Sequence, residues 1–154
     1  MISRREAITD KNAHPGFVEV IKNLSSEEAK ILKLFTSRQV FPLIDVRAEF
    51  KERGKGGRDI ITNMSQIGTL SGCVDISLVP SLLDNLCRLG LLQIPSGMHL
   101  TNEDLYKPLE ESPESQAIKI AIEKDEKQKV EFTRKYITLT TYGKQFCDTC
   151  VRDK

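Results

Sequence analysis

SLVPSLLDNLCRLG, residues 77–90, reads as a helix with a beginning, a stripe and an end. Leucines at 78, 82, 86 and 89 follow the three- and four-residue spacing that lines one helical face, and Val79, Leu83 and Cys87 widen it. Ser77 is placed to cap, Pro80 is tolerated in the first turn, and Gly90 suits the left-handed position after the last turn. The expectation is a buried helix around which the other elements are arranged.

Downstream of it, LLQI (91–94) is a short apolar run ended by PSG and reads as a strand. From Asn102 to Lys127 the chain turns charged and helix-favouring. Pro108 and Pro113 break it into a short helix around 102–107 and another over about 114–125. In KVEFTRKYITLTT (129–141), Val130 and Phe132 alternate with polar residues, and Ile137 and Leu139 do the same, which predicts two strands of a hairpin turning near Arg134-Lys135. Thr140 or Thr141 caps a last helix, in which Tyr142, Phe146 and Cys150 recur at spacing four.

Upstream, HPGFVEVIKNL (14–24) has the spacing of a short amphipathic helix. Ser25-Ser26-Glu27-Glu28 has the capping-box form and opens a second helix to about Arg38, ended before Phe41-Pro42. VFPLIDVRAEF (40–50) favours an extended segment, KERGKGGR (51–58) a mobile loop, and one extended piece is expected around Thr62 to Leu70. Residues 1–13 read as a poorly ordered leader and 14–154 as a single domain. The order of elements is that of an α+β fold with a winged-helix-like core: helices packed on a small antiparallel sheet, with a helical insertion in the wing.

A chain of 154 residues can bury one core of ordinary size. Its 23 Lys and Arg against 22 Asp and Glu leave a net charge of +1, so any attraction to nucleic acid or anionic membrane must be local. No apolar run approaches the roughly 20 residues that span a bilayer, and the start has no signal-peptide segment, so a cytoplasmic protein is expected. The four cysteines, at 73, 87, 147 and 150, are expected to be reduced there.

Four phrases, HPGFVEVIKNLSSEEAKIL (14–32), FPLIDVR (41–47), LLDNLCRLGLLQIP (82–95) and YITLTTYGKQFCDTCV (136–151), resemble the abortive-infection alpha (Abi-alpha) family. These are bacterial proteins associated with resistance to phage and long catalogued as a domain of unknown function. Order and approximate spacing match too, so the likeness covers nearly everything after the leader. Members usually carry a further helical segment before the HPGF-like phrase, which implies that this chain corresponds to a carboxy-terminal part. The resemblance implies a role in phage defence and transfers no catalytic or ligand residue.

The chemistry-bearing residues are few. Cys147 and Cys150 have CxxC spacing, but the second pair that a structural zinc needs is missing, and on a terminal helix one thiol is expected to face the core and the other to be partly exposed. No metal or cofactor is therefore assigned. Lys51, Arg53, Lys55 and Arg58, interleaved with three glycines, could contact phosphate or nucleic acid, although the run lacks the ending of a nucleotide-binding P-loop. On the central helix Asp84, Asn85 and Arg88 face outward with Ser81, a poor phosphate footprint with one base against one acid. In the wing Lys127, Lys129, Arg134 and Lys135 are nearly cancelled by Glu123, Asp125, Glu126 and Glu131.

No GxSxG or HExxH motif occurs and the two histidines are far apart, so an enzyme is not expected. The reading is a regulatory or protein-interaction module with a protein partner or self-association. A winged-helix DNA-binding regulator is the alternative.

Overall fold

The computed structural model describes residues 14–151. The expected leader, 1–13, lies outside them. Helices α1 (Phe17–Lys22), α2 (Ser26–Ser37), α3 (Ile67–Ser71), α4 (Val79–Arg88), α5 (Lys107–Glu110), α6 (Pro113–Glu123) and α7 (Thr141–Phe146) pack on an antiparallel sheet. The sheet has four strands, β1 (Val40–Phe50), β2 (Gly57–Met64), β3 (Leu92–Gln93) and β4 (Gln128–Leu139), in the order β2-β1-β4-β3. This is an α+β fold, as expected. Two compact units divide it, one made of residues 14–41, 67–94 and 137–151, the other of 42–66 and 95–136.

In the first unit the local signals act where the sequence places them. The Ser25 hydroxyl accepts from the Glu28 N–H at 3.1 Å, and the Glu28 carboxylate accepts from the Ser25 N–H at 2.9 Å. The Glu28 side chain is buried, and its second oxygen accepts from the Asn85 amide of α4 at 2.6 Å. Ile31, Leu32 and Phe35 of α2 are fully buried with Leu83 and Leu86 of α4.

The central helix begins later than Ser77. A single 3-10 turn, Ile76–Leu78, precedes it, capped by Asp75, whose carboxylate accepts from the Ser77 N–H at 3.0 Å. The buried line is accordingly Val79, Leu83 and Leu86, and Leu78 is exposed. Its end is a Schellman motif: Gly90 has φ +79°, its N–H donates to the Cys87 carbonyl, and the Leu91 N–H donates to the Leu86 carbonyl at 3.1 Å.

The Leu91 carbonyl then accepts from the Thr140 N–H at 3.0 Å, and Thr140 caps α7 by accepting from the Gly143 N–H at 2.8 Å. β3 pairs with β4 through Leu92–Leu139 and Gln93–Thr138. A Cβ on Gly143 would collide with the Leu91 carbonyl, so glycine is required for this approach. Phe17, Tyr142 and Phe146 pack ring against ring beneath it. Both Cys147 and Cys150, on the π-helical turn that continues α7, are buried, which corrects the expectation of one partly exposed thiol.

The second unit departs further from expectation. Residues 128–139 form one continuous strand, β4, with no hairpin at Arg134-Lys135. Both cations are consumed by tertiary pairs there. Arg134 grips Glu110 with two hydrogen bonds of 2.8 and 3.0 Å, and Lys135 donates to both oxygens of Asp45 at 3.1 and 3.2 Å. Glu110 holds the Arg134 guanidinium well above its ordinary pKa. The expected extended piece at 62–70 is instead the end of β2 followed by α3.

β1 and β2 pair antiparallel from Ile44–Met64 to Glu49–Gly57, with register shifts on either side of Val46. At the first shift β2 carries the extra residue, since two positions of β1 oppose three of β2. Asn63 absorbs it with φ +58°, the one non-glycine residue in the left-handed region among those described. Its N–H donates to Asp45 at 2.9 Å, and its side-chain oxygen accepts from the Lys135 ammonium. Below this bulge sit Ile44, Val46, Tyr106 and Leu109, the core of the unit. The Tyr106 hydroxyl accepts from the Leu100 N–H and donates to the Lys135 carbonyl, both at 2.8 Å.

Two substitutions test these constraints. Asn63→Val places a branched side chain at a positive φ and removes an acceptor from Lys135. It is expected to lower unfolding free energy by about 2 kcal/mol, whereas Asn63→Gly, which keeps the backbone conformation, loses less than half of that. Gly143→Ala is expected to cost at least ~2 kcal/mol in urea unfolding, because the Leu91 backbone has no side chain to move aside.

Candidate functional site

The cations singled out in the sequence occupy the turn between β1 and β2. Lys51, Arg53, Lys55 and Arg58 are all exposed, and Arg58 lies within β2, where it pairs with Ala48. The turn is an ordered one, with the Phe50 N–H donating to the Gly56 carbonyl at 3.0 Å, and Gly54 and Gly56 at φ +87° and +68°. Lys55 is paired with Glu52 at 2.9 Å. Lys51, Arg53 and Arg58 carry no side-chain partner among the described residues. The Lys51 N–H donates to the Lys127 carbonyl at 2.8 Å, which adds Lys127 to the group. A cavity of about 340 Å³ is lined here by Phe50, Lys51, Glu52, Lys55, Glu126 and Lys127.

Asp84, Asn85 and Arg88 belong to the other unit. Asp84 is exposed and, after burial itself, raises the neighbouring Cys87 thiol above its ordinary pKa. Asn85 is drawn inward to Glu28, and Arg88 is folded back on Asn85, its Nε and a terminal nitrogen 3.1 and 2.6 Å from the amide oxygen. Of the three, Asp84 and Arg88 remain exposed, one charge of each sign, which is a poor footprint for DNA.

The same unit presents a feature that the sequence pattern concealed. Leu70 is 52 % exposed, Val74 88 %, Ile76 53 % and Leu78 52 %, four large apolar side chains on one nine-residue stretch. The stretch is nonetheless fastened down. The Val74 N–H donates to the Glu27 carboxylate at 2.8 Å, the Cys73 N–H to the Gly68 carbonyl at 3.0 Å, and Asp75 binds Ser77. Beside it Lys30, Lys33, Leu34, Leu70 and Ser71 line a groove of about 230 Å³. Lys30 is paired with Glu27 at 2.7 Å, whereas the Lys33 ammonium has no partner among the described residues.

None of the four cysteines is in a disulfide, and among the described residues no three His, Cys, Asp or Glu side chains converge as a metal site would require. No helix among them is long and apolar enough to cross a membrane.

The fold is α+β, with an exposed apolar stretch in the first unit and a cationic turn in the second. The abortive infection alpha family model matches residues 5–150, and the chain belongs to that family. No curated protein matches it. Among solved structures it is similar to an uncharacterized protein from the hydrocarbon-degrading marine bacterium Alcanivorax borkumensis SK2, with a TM-score of 0.55 at 16% sequence identity over 88% of this chain and 92% of that one. At that identity the likeness concerns the fold.

Glu27 offers a direct test of how the apolar stretch is held. Its hydrogen bond from Lys30, and then that from the Val74 N–H, lower its pKa below the ordinary 4.5. A depressed carboxyl contributes stability that is present above the unfolded-state value and is lost as pH falls through the folded-state value. The Val74 amide resonance is therefore expected to titrate with a midpoint below 4.5, and to lose that transition in Glu27→Gln.

Proposed function

We propose that this member of the abortive infection alpha family acts as a non-catalytic regulatory module that engages a protein partner through the stretch from Leu70 to Leu78. The observation that carries the reading is the exposure of Leu70, Val74, Ile76 and Leu78 on a hydrogen-bonded stretch. Leaving such side chains in water forgoes roughly 25 cal/mol per Å² that burial would return. Ordering the stretch in advance reduces the entropy lost on docking. Lys33, without an ion-pair partner among the described residues and beside the groove, favours a partner segment that sets an acidic residue next to an apolar one.

The non-catalytic half of the proposal is supported by how the half-buried charges are used. Asp45, Lys135, Glu110 and Arg134 are committed to one another in ion pairs that hold strands and helices. The alternative, a winged-helix DNA-binding regulator, rests on the exposed cations Lys51, Arg53, Lys55 and Arg58, and is weakened by Arg88 being turned onto Asn85.

A phage challenge of cells carrying the full-length gene distinguishes the two. Replacing Val74 and Ile76 by serine should abolish protection while leaving the melting temperature within about 2 °C, since both side chains are largely outside the core. Neutralising Lys51, Arg53, Lys55 and Arg58 together should leave protection intact. Tight, salt-dependent DNA binding lost in the neutralised variant, together with loss of protection, would instead establish the DNA-binding reading.

A further inference from the structure

The cavity at the end of the β1–β2 hairpin is not used by the proposed partner surface, and its lining is of a different kind. Phe50, at the last position of β1, keeps 40 % of its surface exposed. Lys51 brings an ammonium group without a side-chain partner among the described residues, Lys127 one whose charge acts on the neighbouring Asp125 carboxylate, Lys55 a third paired with Glu52, and Glu126 a carboxylate without an ion-pair partner among those residues. Their backbones are fixed: Lys51 bonds to Lys127, and the Lys127 N–H donates to Asp125 at 2.9 Å, closing the turn that leads into β4. Backbone hydrogen bonds to Lys127 and then the Gln128 amide hold the Asp125 carboxyl below its ordinary pKa.

We infer that this cavity binds a free nucleotide whose base carries an exocyclic amine. Each part of such a ligand has a counterpart. Phosphate oxygens carry the negative charge that Lys51 and Lys127 are placed to meet, the flat base has the shape to stack on the Phe50 ring, and the Glu126 carboxylate can accept from the amine.

The Lys55 ammonium now stands 6.0 Å from the Phe50 ring centroid. A stacked base takes its place and releases it toward the phosphates. The Lys55–Glu52 pair that must open is exposed on both sides, 56% and 68%, so little opposes the exchange. A cavity of about 340 Å³ suits a single nucleotide.

Calorimetric titration of the intact protein with ADP, UDP, inorganic pyrophosphate and a twelve-residue oligodeoxyadenylate tests the inference. ADP is expected to bind at least tenfold more tightly than UDP, which lacks the amine, and than pyrophosphate, which lacks the base. The affinity should fall at least tenfold in Phe50→Ser and in the double variant Lys51→Gln, Lys127→Gln, both at exposed positions. Glu126→Gln should reduce the ratio of ADP to UDP affinity, with UDP binding no weaker than before, an effect that a purely structural role would not produce.

Absence of ADP binding at millimolar concentration overturns the inference. So does pyrophosphate binding as tightly as ADP, which would reduce the site to an anion contact. Tighter binding of the oligonucleotide than of ADP would assign the cations to a nucleic-acid strand. The first two outcomes leave the apolar stretch untouched, and the oligonucleotide outcome overturns the partner reading only if protection is also lost with the cations, so the two proposals fail distinguishably.

Discussion

The first unit depends on how closely two backbone segments approach at Leu91. Its N–H closes the Schellman end of α4, its carbonyl receives the Thr140 N–H, and Gly143 lies against it with no room for a Cβ. Three operations are thereby fixed by one residue: where the central helix stops, where β3 meets β4, and where α7 begins. A left-handed glycine at 90, a hydroxyl at 140 and a bare Cα at 143 are what the geometry demands. Hydrophobic burial of Leu83, Leu86, Phe17 and Phe146 supplies the driving force, but the junction decides which burial is attainable.

That junction also explains what could be read from the chain and what could not. The capping box at Ser25 and Glu28, the Thr140 cap and the Gly90 ending are local, each satisfied within a few residues, so their signatures survive in the sequence. The unbroken strand β4 did not show itself, because Arg134-Lys135 resembles a polar turn until Glu110 and Asp45 are known to lie opposite. β2 is exposed along most of its length and bulged at Asn63, so it lacks the alternation by which half-buried strands are recognised. Leu78 fits the helical spacing, yet the Asp75 cap starts a 3-10 turn that points it to solvent.

The surfaces divide in the same way. The cations of the β1–β2 turn are visible as composition, whereas their association with Lys127 and Glu126 exists only once the chain has returned to begin β4. Phe50 read as the end of an extended segment, with nothing to mark its ring as exposed. The apolar stretch is the reverse case: its residues are those of any core, and hydrogen bonds from Val74 to Glu27, from Cys73 to Gly68 and within Asp75–Ser77 hold the stretch in place.

Near-neutral net charge conceals two populations of charged side chains with different physical roles. Arg134 with Glu110, Lys135 with Asp45, and Arg47 with Glu49 and Asp59 are held at 2.6–3.1 Å, all but the exposed Asp59 in partly shielded surroundings, and their charge is spent on register and helix placement. The pairs Arg134–Glu110, Lys135–Asp45 and Arg47–Asp59 join segments distant in sequence or across a strand pair, so they act as constraints on the fold. Lys51, Arg53 and Arg58 have no ion-pair partner among the described residues, and in water their field reaches about 8 Å at physiological ionic strength. A sum over the whole sequence adds the two populations together. A ligand approaching the hairpin meets Lys51, Lys55 and Lys127 together with Glu52 and Glu126, and for it the local balance of charge is the relevant quantity.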